Sequence, residues 1–72
     1  MLELDLSGLN CPLPVLKSKK FLSGLDSGTS VKILTTDPAS ITDLQEFCKK
    51  TGNILISQEQ IADKIYTIIK RR

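Results

Sequence analysis

The sequence predicts an α/β (α+β) two-layer sandwich with its elements in the order β-α-β-α-β-β. Three observations lead to it. Leucine alternates with polar residues through Leu2-Glu3-Leu4-Asp5-Leu6-Ser7, the period of a half-buried strand. Prolines follow Cys11 and Asp37, and proline is favoured in the first turn of a helix. Ile54 to Gln58 and Lys64 to Lys70 are rich in β-branched residues and stand a few positions apart, the separation of an antiparallel hairpin.

Each element has its own local reason. Gly8-Leu9-Asn10 turns the chain after the first strand. A helix is expected from Cys11 or Pro12 to about Ser23, with Pro14 still in the first turn, where its missing N–H does no harm. Gly24 is placed to cap its end. Thr29 to Thr36 reads as the second strand. Asp37-Pro38 repeats the pattern of a capping residue followed by proline, and the second helix runs to about Thr51, ended by Gly52-Asn53. The last two strands turn around Ile61-Ala62-Asp63, which contains no glycine. Two β-α-β units imply right-handed parallel crossovers, so both helices cover one face of a four-stranded sheet. Both helix starts then share one edge, where reactive groups collect in such folds, and that edge holds Cys11 and Asp37.

The chain has 72 residues, the size of one small domain spanning 1–72. Its net charge is +2, from 10 basic and 8 acidic residues, too even a balance to mark a nucleic-acid binder. No apolar run approaches the roughly 18 residues of a membrane span. The alternating acidic N-terminus lacks the basic start and apolar core of a signal peptide, so a cytoplasmic location is expected. There are two cysteines, Cys11 and Cys48, and no histidine. A reducing compartment disfavours a disulfide, and two distant cysteines without histidine do not make a metal site. No cofactor is expected. Any chemistry falls to a thiol or a carboxylate.

Cys11-Pro12-Leu13-Pro14 is the informative stretch. The thiolate is the reactive form of cysteine, and a free thiol titrates near about 8.5. A helix start carries partial positive charge and unpaired N–H groups, so the expectation is a thiolate favoured at neutral pH. Neither proline has an N–H, which leaves Leu13 and Val15 as the nearby backbone donors. The alternative is an inert cysteine that happens to precede a proline. The residues alone leave both readings open.

The stretch Leu4-Asp5-Leu6-Ser7-Gly8-Leu9-Asn10-Cys11-Pro12-Leu13-Pro14 resembles the TusA/SirA family of small sulfur carriers, in which a strand and a Gly-Leu turn precede Cys-Pro-x-Pro at a helix start. The similarity continues in Lys17-Ser18-Lys19-Lys20 and from Thr36-Asp37-Pro38-Ala39-Ser40 through Phe47-Cys48. The resemblance implies a mixed sheet with both helices on one side, similar to the C-terminal domain of translation initiation factor 3. It implies that Cys11 accepts sulfane sulfur as a persulfide from a cysteine desulfurase or a rhodanese and hands it to an acceptor thiol on the next protein. Family members serve tRNA thiolation, sulfur oxidation, molybdenum-cofactor supply, thiosulfate use or selenium metabolism. The tRNA-thiolation member has glutamate between its prolines. Leu13 stands there in this chain, which weighs against that pathway and leaves the carrier chemistry intact.

Helical spacing puts Pro14, Val15, Ser18, Phe21, Leu22 and Leu25 on the buried face of the first helix. Leu13, Leu16, Lys17 and Lys20 fall on the opposite face, beside Cys11, where they suit docking of a partner protein or form an ordinary solvated face. Cys48 shares an apolar helix face with Ile41 and Leu44 and reads as a buried structural thiol. Asp37 reads as a helix cap near the reactive edge. Lys64 and Lys70-Arg71-Arg72 make a small basic end. The rival to a sulfur carrier is a regulatory or RNA-binding module, which the three aromatics Phe21, Phe47 and Tyr66 serve poorly as stacking platforms. A thiol redox protein would want a second cysteine close to the first, as in Cys-x-x-Cys. Sulfur transfer by a carrier, rather than a multiple-turnover enzyme, is the expected function, with no direct nucleic-acid binding.

Overall fold

A computed structural model describes all 72 residues, Met1–Arg72. The elements are β1 (Leu2–Asp5), α1 (Leu13–Ser23), β2 (Ser30–Thr35), α2 (Ala39–Thr51), β3 (Ile54–Ile61) and β4 (Lys64–Lys70). The sheet order is β1-β2-β4-β3. β1 runs parallel to β2, with Leu4 opposite Ile33. β4 lies between β2 and β3 and is antiparallel to both. β2 and β3 therefore point the same way, and each helix is the crossover of a parallel β-α-β unit, as expected.

The core forms on one face of this mixed sheet. Buried Val31, Ile33 and Thr35 alternate with half-buried Lys32, Leu34 and Thr36 along and just past β2, and Ile65, Thr67 and Ile69 are the buried positions of β4. Leu22 of α1 and Leu44, Phe47 and Cys48 of α2 join Val31, Ile33 and Ile69 in a single cluster. The buried positions of α1 are Pro14, Ser18 and Leu22, with Val15, Phe21 and Leu25 packed against the cluster, which is the face the spacing predicts. One buried polar contact ties α2 to the sheet. The hydroxyls of Thr35 and Ser40 lie 2.6 Å apart, so neither loses hydrogen bonding on burial.

Four details depart from the sequence reading. α1 begins at Leu13, not at Cys11 or Pro12, because Pro12 takes φ −97° and ψ 12°, outside the helical region, and stands as the N-cap. Gly24 ends α1 in a right-handed conformation, its N–H donating to the Phe21 carbonyl at 3.2 Å, whereas Gly52 supplies the left-handed cap of α2 at φ +79°. Leu6 is buried although β1 stops at Asp5, and its N–H extends the ladder to the Leu34 carbonyl at 2.8 Å. β3 reaches Ile61 and bulges between Leu55 and Ser57, a common device for twisting an edge strand.

The hairpin closes with Ile61 opposite Lys64, leaving Ala62 and Asp63 as the turn. Ala62 adopts φ +56°, a conformation that costs a residue with a β-carbon about 1 kcal/mol or more. Ala62→Gly removes that strain and adds about 0.5 kcal/mol of stability after the larger unfolded-state entropy of glycine is subtracted. The check is the urea midpoint, which should rise at unchanged slope.

Candidate functional site

The β1–α1 loop and the β2–α2 loop meet at one edge of the sheet, and side chains of the second hold backbone of the first. The Gly8 N–H donates to Thr36 Oγ1 at 2.9 Å. The Cys11 N–H donates to Asp37 Oδ2 at 2.7 Å. The other carboxylate oxygen, Asp37 Oδ1, accepts the Ala39 N–H at 3.1 Å, and the Asp37 carbonyl accepts the Ser40 N–H at 2.9 Å. The N-cap of α2 is Pro38, which has no side chain to bond the first turn. Asp37, expected as the cap, supports that turn from one residue earlier and also fixes the residue that opens the Cys-Pro-x-Pro stretch.

Cys11 is exposed and Cys48 is buried, and both are free thiols. Cys48 sits in the core, where burial pushes its thiol up. The Cys11 thiol is also pushed up, against the expectation of a favoured thiolate. The largest cause is a hydrogen bond to the Asp43 side chain, followed by desolvation and by the charges of Asp43 and Asp37. The helix start offers less than its position suggests. Pro12 and Pro14 contribute no N–H, and the Leu13 N–H is already donated to the Asn10 carbonyl at 2.9 Å. Two carboxylates therefore outweigh a depleted set of amide donors.

Cys11 opens onto a groove of about 510 Å³ between the two helices. Pro12, Val15, Leu16 and Lys19 line one wall, and Asp43, Glu46, Phe47, Lys50 and Thr51 the other. Sequence reasoning missed Asp43 and Glu46. Their signal was present in the spacing of Asp43, Glu46, Phe47 and Lys50, a stripe at three, four and seven residues that must share one helix face. The expected docking residues form the outer ridge of α1. Leu13 and Leu16 are exposed by 43% and 53%, so they present apolar surface beside the thiol. Leu16 borders the groove, while Lys17 and Lys20 border a separate hollow with Leu4, Leu6 and Phe21.

Comparison with known proteins shows the family. A family model described as Sulfurtransferase TusA matches residues 2–72. The chain belongs to the TusA family. A protein named sulfur carrier protein TusA from Allochromatium vinosum is 45% identical over 69 residues, covering 96% of this chain and 91% of that one. A protein of the same name from Pseudomonas putida is 33% identical, with 96% and 86% covered. Among solved structures, a SirA-like protein from Desulfitobacterium hafniense superposes with a TM-score of 0.84 at 30% identity, covering 97% and 96% of the two chains. The expected TusA/SirA resemblance and the α+β fold both hold.

Two outcomes follow from the geometry. In Asp43→Asn the thiol loses its charged acceptor, so the pH midpoint for alkylation of Cys11 by iodoacetamide falls and the rate at pH 7 rises. An unchanged profile would contradict the assigned cause. Asp37→Ala strips acceptors from two N–H groups and costs about 2 kcal/mol in a denaturant titration. Asp37→Asn keeps one of these bonds through its remaining oxygen and costs about half as much.

Proposed function

We propose that this chain is a sulfur carrier that holds sulfane sulfur as a persulfide on Cys11 and relays it between proteins. The observation that carries the reading is the placement of Cys11, exposed at the mouth of the helix groove while its N–H is held by Asp37. A carrier needs a sulfur that a partner's cysteine can reach from solvent and that returns to the same position after each transfer.

The chemistry balances without an external oxidant. The Cys11 thiolate attacks the outer sulfur of a donor persulfide. The bond from Cys11 Sγ to that sulfur forms, the donor S–S bond breaks, and the donor cysteine leaves as thiolate. In the second half, an acceptor thiolate attacks the outer sulfur on Cys11, and the Cys11 thiolate leaves. A raised thiol pKa has two effects on this cycle. It makes the thiolate a stronger nucleophile once formed, and a poorer leaving group. The loaded carrier therefore gives up its sulfur to a partner that stabilises the departing Cys11 thiolate.

The donor is of the cysteine desulfurase or rhodanese type, and the acceptor is a protein with a reactive cysteine, both in the cytoplasm. The apolar ridge of Leu13 and Leu16, next to the thiol, supports direct protein docking. Leu13 between the two prolines favours thiosulfate, sulfur or selenium metabolism over tRNA thiolation. No helix is long and apolar enough to cross a membrane.

Incubation of the reduced protein with a desulfurase and cysteine, or with a rhodanese and thiosulfate, should add one sulfur atom, about 32 Da by mass spectrometry. The gain disappears in Cys11→Ser and persists in Cys48→Ser. Added sulfur on Cys48 alone, or none, overturns the reading. Leu13→Asp or Lys17→Glu should slow transfer several-fold while the unfolding midpoint stays put.

A further inference from the structure

The groove that begins at Cys11 does not end where α1 ends. Lys19, Phe47, Lys50 and Thr51 line both it and a second cavity of about 360 Å³. That cavity adds Leu22, Ser23, Asn53, Arg71 and Arg72. Four cations, Lys19, Lys50, Arg71 and Arg72, face it, and no acidic residue is among its lining. The Cys11 half, by contrast, carries Asp43 and Glu46. The groove thus changes sign along its length. Eleven residues of α1, Leu13–Ser23, put its two ends about 15 Å apart.

The cationic end is built, not frayed. The Arg71 N–H donates to the Thr29 carbonyl at 2.8 Å, and the Arg71 carbonyl accepts the Gly28 N–H at 2.8 Å. The Arg72 N–H donates at 3.0 Å to Oδ1 of buried Asn53. The Arg72 side chain lies so close over Gly52 that a β-carbon there would stand 2.9 Å from its Cδ. Arg71 Nε is buried and has no hydrogen-bond partner. A buried donor left unpaired is costly, and an arriving carboxylate would meet the Arg71 guanidinium where it lines the cavity with a charge-assisted bond.

We propose that the Lys19–Lys50–Arg71–Arg72 end of the groove anchors an acidic segment of the transfer partner, whose carboxylates lie about 15 Å from the cysteine that meets Cys11. This deepens the carrier reading and rests on it. Charge complementarity selects a protein segment over RNA. A nucleic-acid strand carries its charge evenly and would set phosphates against Asp43 and Glu46, whereas a peptide confines its carboxylates to the far end.

A thiol–disulfide exchange tests the site without any persulfide. The probe is a synthetic peptide with sequence Cys-Gly-Gly-Gly-Glu-Glu-Glu, its cysteine activated as the mixed disulfide with thionitrobenzoate. Three extended spacers and the first glutamate span about 14 Å. The Cys11 thiolate attacks the peptide sulfur, the new S–S bond forms, and thionitrobenzoate leaves as the coloured thiolate. The glutamate peptide should react roughly tenfold faster than its glutamine counterpart at low salt, the size of a few exposed ion pairs. That advantage should vanish near 1 M salt, where the screening length is about 3 Å. It should also fall to about twofold in Arg72→Glu, a position that lines only the cationic end, while the reaction with the glutamine peptide stays unchanged. Equal rates for the two peptides in the native chain overturn the proposal. So does a short single-stranded RNA that erases the glutamate advantage at lower charge concentration than free triglutamate does. Because the exchange needs only the Cys11 thiol, failure of persulfide loading would leave this result standing, and the reverse also holds.

Discussion

One carboxylate governs the geometry of the reactive edge. Asp37 accepts the Cys11 N–H with one oxygen and the Ala39 N–H with the other. The two β-α loops come from separate crossovers, and without such a link each would set its own position. With it, the start of α2 becomes a fixed reference for the residue before α1. The neighbouring contact from Gly8 to Thr36 Oγ1 and the buried Thr35–Ser40 hydroxyl pair hold the same loop from either side. An exposed sulfur on a small domain is thereby presented in one direction while its backbone loses little further entropy on each encounter.

The electrostatics of the edge run against simple thiol activation. Asp37 is required for the clamp, and its charge, together with Asp43, pushes the Cys11 thiol up. A protein that had to attack unaided would be poorly served by this arrangement. A carrier is served well, because retention between encounters matters as much as speed within one. On the proposed carrier role, activation would belong to the encounter, when a partner's charges meet Asp43 and Glu46 in the groove.

Most of the fold was legible in the sequence because its signals were local. Proline after Cys11 and after Asp37 marked both helix starts, and the burial of Pro14, Ser18, Leu22, Leu44 and Cys48 followed from helical spacing. The left-handed cap at Gly52 was readable, but the right-handed end at Gly24 was not, since glycine permits both. The sheet order was open, because nothing local to Lys64–Lys70 says that β4 inserts between β2 and β3. At the site, Cys11 and its nearness to Asp37 could be read from topology. The hydrogen bond between them could not, and neither could the loss of the Leu13 amide to Asn10. Asp43 was visible only as one of several polar helix positions. Its effect on the thiol depends on the packing of α2 beside α1, which is a tertiary fact.

The central claim is that this clamped, exposed sulfur is a waypoint and not an end point. The direct measurement is a chase. The chain is loaded with radiolabelled sulfur from a desulfurase, separated from its donor, and mixed with an acceptor protein bearing a reactive cysteine. The account predicts that label leaves Cys11 and appears on the acceptor in a single exponential, with the carrier returning to a free thiol. Label that stays on the chain, or that reaches the acceptor equally well through Cys11→Ser, would contradict it.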